Sequence, residues 1–116
     1  MRGKLKTRTV GNVVIITLSG PLQFGESTLM LRTTIRRHLD DGNLKFVIDV
    51  GGVSQIDSAG LGELVATYTT IRDREGDVKL VRLTERIEDL LQVTKLLTVF
   101  DCLADEAAAL AALDQA

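Results

Sequence analysis

The sequence predicts an α/β domain in which helices pack against a mixed sheet, and three observations point there. Two nearly all-apolar runs, Val13-Val14-Ile15-Ile16-Thr17-Leu18 and Leu44 to Val50, have the composition of strands covered on both faces. Segments with the apolar periodicity of helices follow and alternate with further strand-like runs, as a sheet with packed helices requires. A Gly11-Asn12 turn signal joins the first two strand candidates into a hairpin, so the sheet also contains an antiparallel pair.

Size and composition narrow the class of protein. The 116 residues suffice for one domain with a proper core, taken as 1–116, and are too few for two. A net charge of −2 projects no strong field toward nucleic acid or an anionic membrane, and aromatics at 3 % leave little for base stacking. No apolar run approaches the roughly 20 residues of a membrane span, and no signal-peptide core follows Met1, so a cytoplasmic protein is expected. Cys102 is the sole cysteine, which excludes an internal disulfide and a cysteine zinc cage; it reads as a small core residue. No repeat, linker or low-complexity tract interrupts the chain.

Each element has a local reason. Lys4 to Thr9 alternates Lys4, Lys6 and Arg8 with Leu5, Thr7 and Thr9, the pattern of an exposed edge strand whose charges are solvated. Val13 to Leu18 is a central strand that Gly20-Pro21 should end. Glu26 and Ser27 open a helix that runs to about Asp41 and stops at Gly42-Asn43. Leu31, Ile35 and Leu39 form its buried stripe with Phe24 close to its start, while Arg32, Arg36 and Arg37 lie mostly on a solvated face. His38 has no second histidine with which to complete a metal or catalytic site. From Leu61 a helix places Leu61, Leu64, Val65, Tyr68 and Ile71 toward the sheet. Its opposite face holds Gly62, Glu63, Ala66, Thr69, Thr70 and Asp73, which suits a plain surface and a docking surface equally well. Gly76 closes this helix, and Val78 to Leu83 is a strand. Thr84 is the expected N-cap of a helix with Glu85 and Glu88 at its positive end and Ile87, Leu90, Leu91 and Thr94 on one face. Leu97 to Phe100 reads as a short strand or extended segment. Asp105 and Glu106 begin a last, alanine-rich helix through about Leu113, without the basic residues of a membrane-surface helix. Val14, Ile16, Ile35, Val47, Ile48, Leu61, Leu64, Val65 and Leu90 are expected in one core.

The stretch Val53 to Gly62 carries the functional signal. Asp57 and Ser58 stand where a loop turns into a helix, and either side chain suits the unpaired N–H groups of the first turn. The helix dipole makes the same place favourable for an anion. Gly60 and Gly62 cost the helix about 1 kcal/mol each relative to alanine and leave backbone open to close approach by another molecule. A catalytic Ser58 would need a base held by a third group, but His38 lies in another helix and the Gly-x-Ser-x-Gly elbow is missing. There is no Gly-Lys-Ser/Thr and no Gly-x-Gly-x-x-Gly to cradle a nucleotide. No enzymatic activity, metal or cofactor is therefore expected.

Ile56-Asp57-Ser58-Ala59-Gly60-Leu61-Gly62 resembles the signature of the STAS family, the sulfate-transporter and anti-sigma-factor-antagonist domain. The resemblance extends from Leu18-Ser19-Gly20 to Leu96-Leu97-Thr98-Val99-Phe100, nearly the whole chain. It implies four or five strands with four or five helices, and a stand-alone anti-sigma-factor antagonist. In such antagonists the serine after the motif's aspartate, here Ser58, is phosphorylated by a partner kinase that supplies ATP and Mg²⁺. The unmodified form binds the anti-sigma factor, and phosphorylation releases it. Asp57 then orients the Ser58 hydroxyl, and Gln23, Ala59, Gly60, Gly62, Glu63 and Ala66 surround the phosphosite and meet the partner. The chain departs from the family at Gly20-Pro21-Leu22-Gln23, where members of this kind usually have Gly-x-(Leu/Phe)-Asp; Gln23 removes a negative charge near the site. The alternatives are an accessory subunit of a lipid-transport ABC ATPase or a signalling scaffold, binding constitutively with Ser58 as a mere cap. A nucleotide-binding domain and a piece of a sulfate-type transporter are lesser ones. A monomer or weak dimer is expected.

Overall fold

The computed structural model describes residues 2–114. Five strands, β1 (Lys4–Val10), β2 (Val13–Leu22), β3 (Lys45–Ile56), β4 (Asp77–Val81) and β5 (Asp101–Leu103), form one sheet in the order β1-β2-β3-β4-β5. The β1–β2 hairpin is antiparallel and the remaining pairs are parallel. Four helices, α1 (Glu26–Asp40), α2 (Ser58–Asp73), α3 (Glu85–Val93) and α4 (Glu106–Asp114), complete the element order. The mixed α/β architecture and its number of elements are those expected.

The topology explains where the helices go. Each parallel crossover, β2-α1-β3, β3-α2-β4 and β4-α3-β5, advances by one strand in the same direction. Crossovers of one hand must then deposit α1, α2 and α3 on the same face. Val14, Ile16, Leu18, Phe46, Ile48, Val50, Val78 and Leu80 meet Leu31, Ile35, Leu39, Leu64, Ile71, Ile87 and Leu91 there in the main core. The other face buries only Val13, Ile15, Val47 and Val81 against Ala109 and Leu113 of α4. The single core expected from sequence is thus two cores, and Val47 belongs to the second, because successive side chains of a strand point to opposite faces. Leu61, Val65 and Leu90 are half-buried flanks, with Ile87 and Leu91 fully inside in place of Leu90.

Several boundaries differ from expectation, among them the end of β4 at Val81 instead of Leu83. Strand β2 continues through Gly20-Pro21 to Leu22 and β3 through Gly51-Gly52 to Ile56, because register shifts between Thr17 and Ser19 and between Gly20 and Pro21 absorb the irregular residues as bulges. Leu97 to Phe100 is a turn and not a strand. Leu96 and Leu97 donate to the Leu91 carbonyl at 2.8 and 3.2 Å, and Phe100 packs edge-on against Tyr68, so the last strand starts at Asp101. Helix α2 ends at Asp73, and Glu75, not Gly76, takes the left-handed conformation after it, with φ 63°.

Candidate functional site

The ends of β2 and β3 lie side by side, with Leu22 paired to Ile56, so the segment entering α1 runs against the start of α2. Asp57 is the extended N-cap of α2, with φ −104° and ψ −177°. One carboxylate oxygen accepts the Gly60 N–H at 2.7 Å, which satisfies an otherwise unpaired donor of the first turn. The other accepts the Phe24 N–H at 3.0 Å, from the loop before α1. The N–H groups of Phe24 and Gly60 hold the Asp57 carboxyl below its ordinary range, because they stabilise the charged form. With one N–H on each oxygen, Asp57 is a cap and a strap between two segments, and among the described residues these backbone groups, not the Ser58 hydroxyl, are its hydrogen-bond partners.

Ser58 is the first residue of α2 and is exposed. Gly62, Ala66 and Thr69 are exposed as well, and their spacing of four, four and three residues from Ser58 aligns them in one stripe of small side chains. A Cβ on Gly62 would meet nothing within 4 Å, so this stretch of helix backbone is open as expected. Gly60 is different. It is buried, and a Cβ there would lie 2.1 Å from the Leu22 carbonyl oxygen. Glycine is required at 60 by the chain's own close packing, not by an external partner. Ala59 is half-buried beside it.

Glu63 also departs from the expected open face. Its side chain is only 5 % exposed and takes two hydrogen bonds from Arg32 of α1, at 2.7 Å from Nη2 and 3.2 Å from Nε. These bonds and the charge of Glu63 raise the Arg32 pKa further above its ordinary value. Helix α2 is turned so that Gly60, Glu63, Leu64, Thr67 and Ile71 are its buried residues, because it packs on α1 as well as on the sheet. A helix with two buried neighbours needs a wider covered arc than the apolar stripe alone marks. The Arg32–Glu63 pair supplies the polar part of that arc.

Gln23 stands in the loop as its sequence position suggests. Its N–H donates to Ser27 Oγ at 2.9 Å, the Ser27 hydroxyl donates back to the Gln23 carbonyl at 3.0 Å, and its side chain amide donates to Gln55 Oε1 at 3.1 Å. Phe24, assigned from sequence to the start of the buried stripe of α1, is 85 % exposed. Gly25, the N-cap, has φ 119°, so the helix cannot extend back through it and Phe24 leaves the stripe. The Phe-Gly pair was the signal available for this: a glycine directly after an aromatic, ahead of Glu26 and Ser27, marks the break.

The arrangement can present a hydroxyl, hold it on a fixed turn and tolerate charge added to it. The first turn of α2 contains no acidic residue, unlike those of α1, α3 and α4. An anion on Ser58 would therefore meet a helix dipole compensated by the Asp57 cap but by no carboxylate within the first turn.

Known proteins share this arrangement of elements. BtrV of Bordetella bronchiseptica, named as an anti-sigma factor antagonist, is 24 % identical over 113 residues, which span 97 % of both chains. A Thermotoga maritima protein, also named as an anti-sigma factor antagonist, superposes with a TM-score of 0.87 at 24 % identity, covering 95 % of this chain and 94 % of that one. SpoIIAA, an anti-sigma factor antagonist, matches in its unphosphorylated form with a TM-score of 0.73 at 17 % identity over 97 % of this chain and 96 % of that one. Its phosphorylated form, described as a Bacillus cell fate determinant, matches with 0.72 at 19 % identity over 90 % and 96 %. No helix among the described residues is long and apolar enough to cross a membrane. The STAS domain family matches residues 4–109, which contain the sheet, the Asp57 cap and Ser58, and the chain belongs to that family.

Proposed function

We propose that this chain is an anti-sigma factor antagonist, a cytoplasmic interaction switch that binds an anti-sigma factor with serine kinase activity and is released when that kinase phosphorylates Ser58. It acts as a binding partner and kinase substrate, not as a catalyst, and the kinase brings ATP and Mg²⁺. The observation that carries this reading is the exposed Ser58 hydroxyl at the start of a helix whose first turn lacks an acid, set at one end of the Ser58, Gly62 and Ala66 stripe. The antagonist names of relatives that match along their whole length support it. A phosphate on Ser58 adds about −1.5 to −2 charges at pH 7. The first-turn N–H groups stabilise it enough for the fold to survive, but Glu63 is already committed to Arg32 and no described cation pairs with Asp57. A partner seated over Gly62 would have to desolvate a poorly compensated dianion, and a loss of about 3 kcal/mol weakens binding by more than a hundredfold.

A second reading has one observation in its favour: the neutral Gln23–Gln55 pair stands where antagonists of this family carry an aspartate. In that reading the chain is a constitutively bound subunit of a transport ATPase or a scaffold, and Ser58 is a structural residue. Titration of the purified anti-sigma kinases of the source organism separates the two. Ser58→Ala should bind like the unmodified protein and Ser58→Asp more than a hundredfold more weakly, with both folded. Equal binding by both variants, at the parent's affinity, would replace the switch with the constitutive reading.

A further inference from the structure

We propose that Phe24 is the aromatic anchor through which this surface grips its anti-sigma partner, and that Asp57 is the positioning residue that holds the anchor beside Ser58; the inference rests on the antagonist reading above. Among the four aromatic residues of the chain, Phe46 and Phe100 are buried at 0 % and 5 % exposure and Tyr68 packs against Phe100. Phe24 alone stands in solvent, at 85 %. An exposed phenylalanine contributes little to folding, since the favourable transfer of its ring out of water is not realised.

Nor is the ring there because its loop is loose. Three successive backbone N–H groups are each taken: Gln23 by Ser27 Oγ at 2.9 Å, Phe24 by Asp57 Oδ2 at 3.0 Å and Gly25 by Thr28 Oγ1 at 3.3 Å. Gly25 supplies the positive φ that turns the chain away from the helix axis. The loop is therefore ordered before any partner arrives, which lowers the entropy lost on binding. A rigid aromatic with few rotatable bonds, exposed on an ordered loop, has the character of an interface anchor. Its backbone is fixed between the Gln23–Gln55 amide pair and the Asp57 carboxylate that caps α2.

The link to the phosphosite is a single carboxylate. Asp57 holds the Phe24 N–H with one oxygen and the Gly60 N–H with the other, and Ser58 follows it directly in the chain. Anchor and switch thus form one continuous surface. The occupant that fits is the kinase itself, because a protein that reaches the Ser58 hydroxyl also meets the segment that Asp57 ties to it, and it would need an apolar pocket for the ring. An aromatic contact must exclude water at its rim to be worth much. A dianion on Ser58 would bring water back to that rim, so one phosphate can release a small interface.

The test is isothermal titration of the anti-sigma kinase that binds the parent chain, using Phe24→Ala, Phe24→Trp, Asp57→Asn and the Phe24→Ala/Asp57→Asn double variant, with urea unfolding of each alone. Phe24→Ala should weaken binding about thirtyfold or more and leave the unfolding midpoint unchanged, while Phe24→Trp should retain most of the affinity. Asp57→Asn should weaken binding in the parent background and have no further effect when Phe24 is already alanine; a merely structural role would give additive losses. Phe24→Ala binding within twofold of the parent, while Ser58→Asp still fails to bind, would remove the anchor and leave the switch standing. If the parent binds no anti-sigma kinase, the antagonist reading fails and the anchor with it. If the parent sediments as a dimer and Phe24→Ala as a monomer, the occupant is a second copy of this chain and the kinase assignment is overturned.

Discussion

Helices α2 and α3 start in the same way and serve different ends. Both have an extended N-cap whose side-chain oxygen accepts the third N–H of the helix, Asp57 from Gly60 at 2.7 Å and Thr84 from Ile87 at 3.2 Å. Helix α3 then places Glu85 and Glu88 in its first turn and buries Ile87, so its positive end is compensated and its third position is part of the core. Helix α2 has Ser58, Ala59 and Gly60 instead, with no acid. Its cap reaches outward to hold Phe24, and its third position is a glycine because the Leu22 carbonyl stands against it. One helix start is closed and structural. The other is capped by a carboxylate, carries no acid within its first turn and keeps its Ser58 exposed.

The largest expected effect tests the glycine that distinguishes α2. Gly60→Ala places a Cβ where only 2.1 Å separates it from the Leu22 oxygen, so backbone must shift, at about 1–3 kcal/mol or more by analogy with overpacked cores. Gly62→Ala meets nothing and removes a flexible residue from a helix interior, which should stabilise by about 0.5–1 kcal/mol. Urea unfolding midpoints that move in the same direction for both would show that the inward and outward assignments of the two glycines are wrong.

A smaller contrast concerns the caps. Thr84→Ala should cost about 1 kcal/mol, the ordinary value for a lost N-cap. Asp57→Ala should cost more, because it releases the Phe24 N–H as well as that of Gly60. The two can also be told apart by pH. The Asp57 carboxyl titrates lower in the folded protein than in the unfolded chain, so its contribution is complete above the unfolded value of about 4 and is lost as pH falls through the folded value. The stability gap between parent and Asp57→Ala should therefore narrow below about pH 4, while the gap for Thr84→Ala stays constant. A pH-independent gap for Asp57→Ala would mean that the carboxylate charge does not matter to the strap.

The smallest effect addresses the dipole directly. Ser58→Asp introduces the first-turn acid that α2 lacks and should stabilise the fold by about 0.3–1 kcal/mol at low ionic strength. Glu85→Gln removes one from α3 and should destabilise by a similar amount. Both changes should fade in about 1 M salt, where screening acts over roughly 3 Å. Thermal denaturation at two salt concentrations reads both. A destabilising Ser58→Asp would indicate that the turn is already electrostatically satisfied by Asp57, so that the helix dipole gives a phosphate on Ser58 little support.

What the amino-acid sequence determined by itself was everything carried by neighbours a few positions apart. The order of strands and helices, the α1 stripe of Leu31, Ile35 and Leu39, the Gly11-Asn12 hairpin, the Thr84 cap and the place of Ser58 at the start of α2 all follow from periodicity, turn chemistry and capping within one or two turns. The family signature was legible for the same reason, being seven consecutive residues. Only the tertiary structure decided that Gly60 faces inward, that Glu63 is buried with Arg32 and that Phe24 is held in solvent. Each of these depends on a partner far along the chain, 31 residues between Arg32 and Glu63 and 33 between Phe24 and Asp57. Helical periodicity marks which residues are apolar, but a helix wedged between a sheet and another helix buries polar residues too, according to what the neighbour offers. The division of Val47 from Ile48 into separate cores has the same origin, since alternation along a strand is local while the helix covering each face is set by crossover handedness.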